Sequence, residues 1–296
     1  MPKTNTNNNA NTANVPQAER CRLDDTLAGL LERRLSRNQL RSLTLTPAGA
    51  ADFSSNAYLS LSSQPEVQNA FIARLQTHSA NARNALPPSL MGSGGSRLLD
   101  GNSALATSLE HTIAAFHHAP AGLLFNSAMD ANVGLFGCVP QPGDVIVHDE
   151  LIHASVHDGM RASRATRRIP FAHSHVWEGI PNADPFPTGI TKSLETVLQS
   201  LLQGSEGSLF MSGERNVFIA VEGVYSMDGD VAPLAAVVEC VERCLPQGNG
   251  YVIVDEAHST GIFGERGRGL VCELGLEDRV WARVLGFGKA MGCSGG

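Results

Sequence analysis

The chain has 296 residues, 42% of them hydrophobic, and a formal charge of −7. That content is enough for a substantial core, and the negative charge argues against general binding to nucleic acid or an anionic membrane, both of which need a cationic surface. No apolar run approaches the ~20 residues that span a bilayer, and there is no charged-then-apolar secretory leader; a soluble protein of the cytoplasm or an organelle matrix is expected, not a secreted one.

Residues 1–19, rich in Asn and Thr, carry no apolar periodicity and are expected to form a disordered tail. Leu27, Leu30, Leu31 and Leu35 have helical spacing with Arg33, Arg34, Arg37 and Arg41 interleaved, which predicts an amphipathic arm within 20–51. One large domain is expected over 52–296. Leu105, Leu109, Ile113 and Phe116 predict a helix, and 122–125 and 145–147 predict short strands. Residues 177–189, rich in Pro and Gly, predict a surface loop. Leu194, Val197, Leu198, Leu201 and Leu202 predict a helix closed by Gly204 in a left-handed cap. The run Val217-Phe218-Ile219-Ala220-Val221 predicts a strand. Pro233 then opens a helix carrying Leu234, Val237, Val238, Val241 and Leu245, and Pro246 follows it. Tyr251-Val252-Ile253-Val254 predicts a further strand, and a last apolar run precedes Gly286. Strand and helix in alternation imply the α/β class: a mostly parallel sheet flanked by helices.

Three of these strands end in reactive side chains: Glu222, Asp255 and, in Gly286-Phe287-Gly288-Lys289, one of the chain's three lysines. In open α/β sheets ligands bind beyond the carboxyl ends of the strands, so one shared site is expected. An amine facing a carboxylate suits pyridoxal 5'-phosphate, whose aldehyde takes a lysine and whose ring nitrogen takes an acid. The competing reading of Asp255, in Asp255-Glu256-Ala257-His258, is an acid that caps a helix. His258 can bond the cofactor's phenolic oxygen or satisfy backbone groups, and His153 can lie over an aromatic ring. His153, His157 and His148 also raise a metal site, but there is no His-Glu-x-x-His and no strong third ligand, so no metal is expected. Cys240 and Cys244 flank the apolar stripe of a helix, and the six cysteines, Cys21, Cys138, Cys240, Cys244, Cys272 and Cys293, show no zinc-type pairs and suit reduced thiols. Residues 126–132 open a helix whose free N–H groups suit a phosphate. The glycine-rich stretch 92–97 does not follow a strand as a dinucleotide fingerprint should.

Several ordered motifs together resemble the alpha-oxoamine synthase family, pyridoxal-phosphate enzymes that join an amino acid to an acyl-CoA with loss of carbon dioxide. The segments are Asp52-Phe53-Ser54-Ser55-Asn56 with Tyr58-Leu59, residues 92–97, Leu151-Ile152-His153-Ala154-Ser155, residues 222–230, residues 255–261, Gly267-Arg268-Gly269 and Phe287-Gly288-Lys289. The resemblance implies the large domain of a fold-type I pyridoxal-phosphate enzyme, and a homodimer. It implies that Lys289 holds the aldehyde, Asp255 pairs with the ring nitrogen and His153 stacks on the ring. His258 and Ser226 would contact the phenolic oxygen, Ala128 and Met129 the phosphate, and Glu222 belongs to the cofactor site. Where the family has Ser-Gly-Phe this chain has Ser127-Ala128-Met129, and where it has Thr or Ser three residues before the lysine this chain has Gly286. The family continues with an antiparallel strand and a C-terminal domain carrying a substrate-binding arginine; both are expected to be missing here. Alternatives are an aminotransferase-like reaction on the same fold, or an inactive truncated homologue.

Overall fold

The computed structural model describes residues 22–82, with side chains to 77, then 92–179 and 189–296. The expected tail at 1–19 and most of the expected loop at 177–189 lie outside the described residues. The chain divides into two compact units, Met1–Phe53 and Ser54–Gly296. In the first, α1 (Arg22–Ser36) is helical as the leucine spacing predicted, with Asp24 and Asp25 in its first turn and Arg33 and Arg34 in its last, each sign suited to the helix dipole at its end.

The second unit is built on a five-stranded sheet whose strand pairings are all parallel. Its strands are β1 (Val145–Asp149), β2 (Arg167–Phe171), β3 (Val217–Glu222), β4 (Gly250–Asp255) and β5 (Ala282–Val284), in the order β2-β1-β3-β4-β5. β1 and β3 are buried along their whole length, which is why they read as unbroken apolar runs and not as alternating ones. Alternate residues point to opposite faces. Val217, Ile219, Val221, Val252 and Val254 pack with α6 (Leu194–Leu202) and α8 (Leu234–Cys244), while Ile146, Phe218, Ala220 and Ile253 pack with Phe136 of α4 (Ala128–Cys138) and Val156 and Met160 of α5 (Ala154–Ala162).

Two elements differ from the sequence expectation. Residues 122–125 are not a strand: Phe125 exchanges backbone hydrogen bonds with Gly296 at 2.8 and 3.1 Å, but no ladder extends along the segment. Gly204 does end α6, but without a positive φ; its N–H bonds to Leu201 O at 3.2 Å, a tightened last turn in place of a left-handed cap. Among the described residues no helix is long and apolar enough to cross a membrane.

Chain order and sheet order part between β1 and β3, since β2 lies on one side of β1 and β3 on the other. This is the switch point at which such sheets bind ligands. The register sets Glu222 of β3 directly beside Asp255 of β4.

Candidate active site

Beyond these strand ends lies a cavity of about 520 Å³. Lys289, Asp255 and Glu222, the three side chains expected at the strand ends, all border it, and so do His153 and His258. The start of α4 forms another wall through Ala128 and Met129. Ser127 caps that helix by accepting from Asp130 N at 3.0 Å. The first-turn amides are the groups a helix start leaves for an anion.

Lys289 Nζ lies 2.7 Å from His258 Nε2, and His258 Nδ1 lies 2.7 Å from the Tyr58 hydroxyl. With Lys289 as an ammonium, which only donates, Nε2 is the acceptor and the ring proton sits on Nδ1, donated to the Tyr58 oxygen. Burial and the neighbouring Lys289 hold His258 down at about 4, so it is neutral at physiological pH. Burial also lowers Lys289, against the opposing pull of Asp255 and Glu222. An amine destined to act as nucleophile and base needs that direction of shift.

The two neighbouring carboxyl groups have different surroundings. Asp255 accepts from Ala257 N at 2.9 Å and from Asn132 Nδ2 at 2.6 Å. Glu222, 2% exposed, is pushed up to about 8 by burial and by the adjacent Asp255, opposed by Lys289 and a hydrogen bond from the His153 backbone. At neutral pH Glu222 is therefore largely a carboxylic acid, which spares the site a second buried charge beside Asp255. His153 caps α5: its Nδ1 takes the Ser155 amide at 3.2 Å and lies 2.7 Å from Ser155 Oγ, leaving Nε2 free. Its ring does not join His157, which packs edge-on against His148 with centroids 5.2 Å apart.

Ser226 is the exception among the expected residues. It is exposed on the turn after β3 and does not border the cavity. That turn is closed by Tyr225 N to Asp230 O at 3.0 Å and Gly229 N to Tyr225 O at 2.9 Å. The buried Tyr225 packs edge-on against His173 with centroids 4.5 Å apart, so the turn presents its tyrosine to the core. His173 bridges Asp149 (2.9 Å) and Asp230 (2.7 Å), binding the turn to the end of β1. Although burial pulls His173 down, the two carboxylates raise it to about 9.

The glycine-rich stretch 92–97 also lies away from the cavity. Arg97 forms a two-pronged pair with Glu110 of α3 (Ala104–Phe116), whose carboxyl this guanidinium holds at about 2 against the effect of burial. Gly286 is at the cavity, and a Cβ there would lie 2.9 Å from the Ala257 Cβ. A side chain at this position would require Ala257 to shift.

Asn132, Ser155 and Tyr58 carry much of the site's bonding without having been assigned a role from sequence. Asn132 stands one helical turn after Ala128, a spacing that puts both on one face of α4. The bond between Tyr58 and His258 spans 200 residues, and no local pattern announces it.

A profile described as aminotransferase class I and II matches residues 49–296. The chain belongs to this family. Within it the affinity is with the alpha-oxoamine synthases, as the motifs implied. The chain is 54% identical over 273 residues to 8-amino-7-oxononanoate synthase of Emericella nidulans, covering 92% of this chain and 60% of that protein. It is 39% identical over 246 residues to the aminoacyl transferase sphA of Aspergillus fumigatus, covering 83% and 47%. Among solved structures, Sphingomonas wittichii serine palmitoyltransferase matches with a TM-score of 0.65 and 25% identity over 94% of this chain and 63% of that one. The serine palmitoyltransferase of S. paucimobilis, solved with bound PLP–myriocin, shares the fold with a TM-score of 0.67 at 23% identity, over 93% of this chain and 65% of that one. The chain thus spans less than two thirds of each of these relatives.

Proposed function

We propose that this chain carries the cofactor site of a pyridoxal-phosphate-dependent acyltransferase that joins an amino acid to an acyl-CoA with loss of carbon dioxide. The favoured pair is L-alanine and pimeloyl-CoA, the biotin-pathway condensation. The carrying observation is the meeting of the Lys289 amine, the Asp255 carboxylate and the α4 N-terminus around one cavity. Identity to the Emericella nidulans synthase supports the choice of substrates.

The residues present fit the cofactor. The lysine is shifted toward its neutral form, the acid is anchored by two donors, and a helix start at the wall suits a phosphate. When bound, the cofactor supplies an aldehyde and an electron-withdrawing ring. Lys289 would hold the aldehyde and, once free, accept the amino acid's Cα proton at Nζ. Asp255 would keep a proton on the ring nitrogen, and His258 would contact the phenolic oxygen. His153, at the cavity wall, would limit the positions the reactants can take. Ala128 and Met129 would hold the phosphate through backbone amides, and Glu222, as a neutral acid, would add no competing charge.

The family's description favours a second reading, transamination on the same scaffold. Product analysis separates the two. Alanine with pimeloyl-CoA should release carbon dioxide and free CoA and yield the amino ketone; amino-group exchange between alanine and a keto acid without thioester consumption would overturn the proposal. A homodimer belongs to the same proposal, supported by exposed apolar residues on α2 (Pro65–Ala82), and sedimentation should give twice the chain mass.

A further inference from the structure

We infer that Asn132 is a positioning residue that sets the Asp255 carboxylate and, through Ser155, the tautomer of His153. Its one amide nitrogen serves both sides: Nδ2 donates to Asp255 Oδ2 at 2.6 Å and to Ser155 Oγ at 3.0 Å. Both donors of the amide are thereby used, and neither partner tolerates the reversed amide. A carboxylate offers only acceptors, so an amide oxygen in that place would face another oxygen. Ser155 Oγ lies 2.7 Å from His153 Nδ1, and because the Ser155 amide already donates to that nitrogen, the hydroxyl proton is directed there too.

The polarity of the chain follows. Asn132 gives a proton to Ser155 Oγ, Ser155 gives its own to His153 Nδ1, and the Ser155 amide also points at Nδ1 at 3.2 Å. Nδ1 is therefore an acceptor, and His153 carries its proton on Nε2, the nitrogen left free. On the other side, Asp255 Oδ1 is held by Ala257 N at 2.9 Å and Oδ2 by Asn132, which fixes the rotation of the carboxylate about its own axis. One side chain of α4 thus ties the end of β4 to the start of α5, and the groups proposed to meet the ring nitrogen and the ring face are aligned together.

Burial excludes a space-filling role. Asn132 is 1% exposed and Ser155 is fully buried, and the amide oxygen Oδ1 has no hydrogen-bond partner. A buried acceptor without a partner is unfavourable, so an apolar residue would be preferred here if only volume mattered. The arrangement is explained by what Nδ2 does for its two neighbours.

This inference rests on the cavity being a pyridoxal-phosphate site, and its test separates the two. The whole chain and its Asn132→Leu, Asn132→Asp and Ser155→Ala variants are titrated with pyridoxal 5'-phosphate by absorbance, and the apo proteins, labelled at histidine nitrogen, are studied by NMR. Wild type should bind the cofactor at Lys289. Asn132→Leu, which keeps the branched skeleton of asparagine but no polar atom, should raise Kd about tenfold or more, as expected for loss of a charge-assisted hydrogen bond. It should also move the pH midpoint of the bound chromophore. Asn132→Asp, which sets acid against acid, should weaken binding at least as much. In the apo protein His153 should be in the Nε2–H form, and Ser155→Ala should lose that preference. Should Asn132→Leu fail to fold, as judged by its apo Tm, the histidine readout of Ser155→Ala decides alone. Unchanged Kd and midpoint in Asn132→Leu, or an unchanged His153 tautomer in Ser155→Ala, overturns the inference. Failure of wild type to bind the cofactor overturns the cavity reading instead and leaves the histidine readout standing.

Discussion

Helices α8 and α2 begin from similar sequence patterns and end in opposite environments. In α8, Leu234, Val237, Val238, Cys240 and Val241 are all at most 2% exposed beneath the sheet. In α2, Val67, Phe71, Ile72 and Leu75 also follow helical spacing, yet they are 41 to 62% exposed. Periodicity reports that a segment is helical and that one stripe is apolar; it does not report what will cover the stripe. The sheet body holds the bulk of the core and almost all of the site, whereas the segment before α3 contributes Tyr58 and an uncovered face.

The contrast can be broken or sharpened by measurement. The largest effect is expected for Leu234→Ala, which removes a fully buried side chain and should lower the unfolding free energy by about 2 to 5 kcal/mol in urea titration. A loss comparable to a surface substitution would mean α8 is not part of the packed body. Next, Asp255→Ala removes the anchored carboxylate, and pyridoxal phosphate affinity should fall by ~10- to 100-fold in an absorbance titration, the range for one charge-assisted hydrogen bond. Third, alkaline pH should loosen the sheet body. Glu222 is raised to about 8 and His173 to about 9. Each binds a proton in the folded state that the unfolded chain has released, so stability from Glu222 is present below about pH 4.5 and declines up to about 8, and that from His173 declines between about 6.5 and 9. Depression of His258 to about 4 acts the other way, adding stability as pH rises from about 4 to 6.5 and nothing beyond. The apo Tm should therefore fall by roughly 5 °C or more between pH 6.5 and 9, and Glu222→Gln should flatten the part below 8. The smallest effect is expected at α2: Phe71→Ala should change the unfolding free energy of the isolated chain by less than about 0.5 kcal/mol. A larger, concentration-dependent loss would show that a second copy covers this face.

Much of the sheet was legible because buried parallel strands leave continuous apolar runs, and much of the site because Glu222, Asp255 and Lys289 follow such runs directly. Residues 122–125 misled for the same reason: their apolar character suits a strand, but a strand also needs partners along its length, and the visible pairing here is that of Phe125 with Gly296. Ser226 was placed at the site by its motif, while the structure turns that motif on Tyr225, whose burial against His173 no spacing rule announces. Gly204 illustrates a smaller miss, since a glycine after a helix permits a left-handed cap without requiring one. Asn132 was within reach of helical spacing from Ala128. Its partners, 23 and 123 residues away, were not.

The most direct test is to incubate the chain with pyridoxal 5'-phosphate, reduce with borohydride and map the modified peptide by mass spectrometry. Attachment at Lys289, lost in Lys289→Ala, is the predicted result. Attachment at Lys192 or Lys3 with Lys289 unmodified would contradict the account.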